Sequence, residues 1–114
     1  MILGVGRVGG GRTLRTTMPA ARLESLPRRV VAGREVPVAV GFRARLMGLA
    51  LLDREAAGSG LLIPRCAAVH TFGMRFALDV LFLDQQDEVL ERLLVPPRHF
   101  AAHGGARAVL ELPA

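Results

Sequence analysis

Tryptophan, tyrosine and lysine are missing from the 114 residues, and cysteine occurs once. One cysteine excludes an internal disulfide and agrees with a reducing compartment. Without Trp or Tyr there is little on which bases could stack, so nucleic acid is not an expected partner. Ser25 and Ser59 are the only serines, both in polar segments without a glycine elbow, and no acyl-transfer triad can be assembled from them. No run approaches the roughly 18 uninterrupted apolar residues of a membrane span. Residues 1–11 lack the apolar block and cleavage site of a secretory signal, so the expected compartment is the cytoplasm.

What is present is half hydrophobic, enough for one domain with one core at this length. All fifteen basic residues are arginine. Seven lie within residues 1–34 against a single acid, Glu24, so that segment carries +6 and the remaining eighty residues carry −1. Residues 1–25 read as a basic, Gly/Arg-rich flexible arm, and 26–114 as the domain. Phosphate contact through the arm is the nucleic-acid alternative. Gly4, Gly6 and Gly9 match a dinucleotide-type glycine pattern, but no strand precedes them and no helix pattern follows. Met18, before Pro19, is an alternative start.

Two short strands are expected at 30–31 and 36–40 about a turn at Ala32-Gly33-Arg34, with Pro37 opening the second or lying at an edge. Phe42, Leu46, Leu49 and Ala50 recur at helical spacing, which predicts a helix over 42–51 weakened in its middle by Gly48. Residues 61–63 and 67–72 read as extended, 77–83 as the strongest strand, 84–88 as a hairpin turn, and 89–95 and 108–112 as further strands. The expected fold is α+β, a mostly antiparallel sheet or partial barrel with one short helix packed against it.

Residues 66–84 hold the longest apolar run together with the chemistry-bearing side chains. Cys66, His70 and Met74 are soft ligands of the kind that select copper(I), spaced to share a face of one unbroken strand. Gly73 breaks that continuity, and a buried Cys and Met are ordinary core residues, so no metal or cofactor is favoured. Cys66, His70 and Asp79 also supply the residue types of a thiol nucleophile system, though partners so near the cysteine in sequence are unlike the usual spatial assembly. His99 and His103 have the i, i+4 spacing of a zinc helix without its glutamate, and read as surface loop residues.

Asp79 lies in a strand apolar on both faces, where a carboxylate costs several kcal/mol unless paired. His70, Arg75 and the amides near Gly73 are its expected partners. Either they line a pocket, or Asp79 ties the 70–75 loop to the sheet. Glu111 poses the same question with less force and is expected to face solvent from an edge. The leading functional expectation is a non-catalytic domain whose polar patch, His70, Thr71, Arg75 and Asp79, holds a small molecule or a partner's segment.

These residues together resemble the DUF192 (UPF0127) family of uncharacterised bacterial and archaeal proteins. Arg43-Ala-Arg-Leu-Met-Gly48-Leu49 is similar to its Arg-x-x-Gly-Leu helix, and Gly60-Leu-Leu-Ile-Pro-Arg-Cys66 to the strand that follows. Residues 70–84 resemble the central motif, with Ala77 in place of the common proline, and Pro96-Pro97-Arg98 and residues 108–113 resemble the closing motifs. The resemblance implies a small, mostly β domain and names no reaction. Many relatives continue past the position of Ala114, which implies exposed apolar surface at the last strand and a monomer or weak homodimer.

Overall fold

Val31-Ala-Gly-Arg34 turns the chain back on itself with both central residues at positive φ (Ala32 51°, Gly33 79°), the conformation that tight hairpins require. Strands β1 (Arg28–Val31) and β2 (Arg34–Pro37) pair antiparallel across it. The computed structural model describes residues 21–114. The glycine pattern at 4–9, the alternative start and most of the arginine-rich arm lie outside these residues. The last part of the expected arm does not: Ala21–Glu24 form α1, and Leu23 sits in the main core. Pro37 closes β2 rather than opening it.

A second helix, α2 (Phe42–Met47), is shorter than its periodicity predicts. Gly48 ends it, at φ 53° and ψ −128°, a region that disfavours any side chain. Strands β3 (Leu61–Pro64), β5 (Leu78–Leu83), β6 (Val89–Val95) and β8 (Ala108–Pro113) form an antiparallel sheet in the order β3-β8-β5-β6. The sheet is open, with β3 and β6 at its edges. An isolated parallel bridge, Val38 to Leu62, attaches the β1–β2 hairpin beside β3. The 84–88 turn forms as expected, with the Asp84 carboxylate accepting the Gln86 and Glu88 amides at 2.8 and 3.0 Å.

One strand was not legible from pattern. β7 (Phe100–Ala102) pairs with β4 (Ala68–His70), setting His70 opposite Phe100. His99 and His103 therefore flank a short strand. His99 Nδ1 lies 2.8 Å from the Pro97 carbonyl, and His103 Nδ1 accepts the Gly105 amide at 3.1 Å.

Period-two alternation sends the sheet's side chains to two cores. Leu61, Ile63, Leu78, Val80, Phe82 and Val109 face the end of α2, β4 and β7, where Leu49 just past α2, Val69 and Ala101 complete the larger core. Leu62, Leu81, Leu83, Leu110 and Leu112 face the hairpin, which contributes Val31 and Val36. β8 is interior, so apolar exposure at the last strand does not occur. It falls on the edge strand instead, where Leu94 is 69% exposed. No helix among the described residues is long and apolar enough to cross a membrane.

Candidate functional site

Glu111 sits mid-strand in β8, level with Leu61 on one side and Val80 on the other. Paired residues share a face, so its side chain enters the larger core beneath the end of α2. It is 3% exposed, which corrects the expectation of a solvent-facing edge residue. The Leu49 amide donates to its carboxylate, while Oε1 has no hydrogen-bond partner. Burial raises its pKa to about 7, and the Leu49 N–H opposes the rise.

Two glycines make room for it. A Cβ at Gly48 would lie 2.7 Å from Glu111 Oε1, and one at Gly60 would lie 2.3 Å from the Glu111 carbonyl. Gly48-Leu49, the pair that ends α2, thus forms the roof over the acid.

His70 ends β4 and is half-buried, its ring 5.9 Å from that of Phe72. Its Nδ1 is buried and unpartnered. Among the described residues, His70 Nδ1 and Glu111 Oε1 are the buried side-chain polar atoms left without a partner, and both residues line one cleft of about 210 Å³. Ile63, Val69 and Met47 supply its apolar wall. Arg45 also lines it, with its guanidinium donating to the carbonyls of Pro64 and Arg65. A larger cleft of about 550 Å³ opens beside the β5–β6 turn, with Arg29, Arg65 and Arg107 in its lining. Its Arg29 is paired with Asp87 at 2.7 Å, and it holds no orphaned buried atom. Chemistry, not size, therefore selects the smaller cleft.

The four residues of the expected patch are dispersed. Asp79 faces the side of the sheet away from Glu111, with Leu81 and Leu112, and binds Arg92 of β6 through both carboxylate oxygens. Neither His70 nor Arg75 is its partner. Arg75 bridges to Asp53 at 2.9 Å on the surface. Thr71 is 0% exposed and satisfied: its hydroxyl donates to the Pro96 carbonyl at 2.6 Å and accepts the His99 amide at 2.8 Å. Only His70 reaches the cleft.

Nor does the soft-ligand set assemble. Cys66 lines the cleft, with its thiol donating to the Ala68 carbonyl at 3.0 Å, whereas Met74 is packed in the larger core. No cluster of three His, Cys, Asp or Glu residues with metal-binding spacing occurs among the described residues. The nucleophile set fails for a related reason, because Asp79 lies across the sheet from His70. Sequence reasoning ranked Glu111 below Asp79, although the same signal was present: an acid inside the apolar run Val-Leu-Glu-Leu.

No curated protein and no solved structure matches the chain. The DUF192 family model, described as an uncharacterized ACR, matches residues 27–114, the span that holds the sheet, α2 and every residue of the cleft. The chain belongs to the DUF192 family.

Proposed function

We propose that this chain is a non-catalytic, cytoplasmic small-ligand-binding domain, and that its site is the cleft between α2 and β4. One observation carries the reading. Two residues on separate strands, His70 and Glu111, each carry a buried polar atom without a partner, Nδ1 and Oε1, and both residues line the same small cleft. Leaving such a group unpaired costs about 1–3 kcal/mol, so an occupant that bonds to both recovers a substantial stabilisation. The apolar wall of Ile63, Val69 and Met47 would hold the ligand's hydrocarbon part, while the two polar atoms orient it. Of the patch expected from sequence, the proposal keeps His70 and replaces Asp79 with Glu111.

Thermal shift across a panel of small polar metabolites tests it, because a ligand that binds only the folded state raises the melting temperature by mass action. At least one chemical class should stabilise the wild type and lose its effect in both His70→Ala and Glu111→Gln. A flat response across the panel, or shifts unchanged in both variants, ends the reading.

A further inference from the structure

We infer that the cleft selects a compact alkyl ammonium group, with Glu111 as the counter-ion and the Ile63–Val69 wall as the seat of the hydrocarbon. The inference rests on the ligand-site reading and narrows it to one chemical class.

The charge balance around Glu111 carries it. An ionised carboxylate only accepts hydrogen bonds, and this one receives a single N–H, from Leu49. Among the described residues, α1 presents Arg22, whose guanidinium donates to the Gly48 and Ala50 carbonyls at 3.0 and 2.7 Å on the roof over the acid. α2 presents Arg45, the β3–β4 connection presents Cys66, and β4 presents His70; the neighbouring strands present Leu61 and Val80. Arg45 is turned to the carbonyls of Pro64 and Arg65 and leaves Oε1 unpartnered. Among the described residues only the Leu49 N–H counteracts burial at the carboxyl.

The site therefore holds one acceptor whose ionisation no group among the described residues compensates. An ammonium supplies both the missing donor and the missing charge, and a buried charge is tolerated when paired and hydrogen-bonded. A carboxylate or phosphate ligand would meet a second anion. At roughly 30 Å³ per water, the 210 Å³ cleft displaces about seven waters, the scale of a four-carbon amine.

The proton follows from the same geometry. Without an amine, burial keeps the Glu111 carboxyl protonated up to about pH 7. Pairing with an ammonium requires the carboxylate, so below that pH binding releases a proton to solvent, and above it does not. With half-ionisation near 7, affinity should rise about tenfold from pH 6 to pH 8.

The test titrates the full chain with isobutylamine, isobutanol and isobutyrate at pH 6 and pH 8, following the Gly48 and Leu49 amides and the His70 ring by NMR. Isobutylamine should shift all three signals with about tenfold tighter binding at pH 8. Isobutyrate should shift none, and Glu111→Gln should weaken the amine at least tenfold while the variant still gives a folded spectrum. Isobutanol binding as tightly as the amine, with no dependence on pH, would overturn the ammonium class and leave the ligand site standing. Silence of all three signals with all three probes would overturn both.

Discussion

The Glu111 carboxylate occupies the space that a side chain on Gly48 would need: a Cβ there would stand 2.7 Å from Oε1. Gly48 also adopts φ 53° and ψ −128°, which L-residues avoid. Gly48→Ala therefore meets a steric and a backbone penalty together, and should cost about 2 kcal/mol or more in urea melts. Glu111→Ala in the same background should return the steric part and leave the backbone part. A loss under about 0.5 kcal/mol would show that the roof over the acid yields easily.

Stability should fall as pH rises from 5 to 8. The folded-state pKa of Glu111, about 7, lies above its unfolded value near 4.5, so between them the folded chain binds more protons than the unfolded one. The loss begins above the unfolded value and is complete above the folded one. At about 1.4 kcal/mol per unit it amounts to roughly 3 kcal/mol. The measurement is the difference between wild type and Glu111→Gln in urea melts at pH 5 and pH 8, which isolates this carboxyl. Parallel curves for the two proteins would place the carboxyl in contact with water.

The contrast between Asp79 and Glu111 shows how far the sequence could be read. Both are acids inside apolar strands, and alternation alone told which neighbours share each face. It could not supply strand order, which depends on pairings between residues far apart. The order β3-β8-β5-β6 puts β8 between two strands and under α2, while Asp79 lies diagonally across from Arg92 on the exposed edge strand. Hence the sequence raised the question of a buried acid at both positions, and the strand order seals Glu111 while leaving Asp79 paired at the edge. The β5–β6 hairpin was legible because a polar turn separates two apolar runs. β7 was not, since Phe100-Ala-Ala102 has too short a pattern to signal a strand and forms one only by pairing with β4.

Thr71 ties two segments together. Its hydroxyl holds the Pro96 carbonyl and the His99 amide, fastening the segment between β6 and β7 to the end of β4. Thr71→Val keeps the shape, removes both bonds and buries two unsatisfied backbone groups, for a cost of about 2 kcal/mol. Thr71→Ser keeps the hydroxyl and should recover most of that loss. Equal destabilisation by both substitutions in urea melts would assign Thr71's contribution to its methyl packing instead.

Asp79 should matter less than its apolar setting suggests. Its side chain is 19% exposed, but the Arg92 that binds it is 65% exposed and stands on an edge strand, where water and salt reach the pair. Hydrogen bonding to Asp79, with the attraction of its charge, raises the Arg92 pKa, so the pair holds the guanidinium in its charged form. An exposed partner still limits what the attraction contributes. Asp79→Asn should therefore destabilise by less than half as much as Leu110→Ala, which empties a fully buried position in the central strand β8. Molar salt should shrink the Asp79→Asn effect further while leaving the difference at Leu110 in place, because screening acts on solvent-reached charges and not on packing. An Asp79→Asn loss that matched Leu110→Ala and ignored salt would mean that the Arg92 fork is shielded from solvent, and would return Asp79 to the list of buried acids.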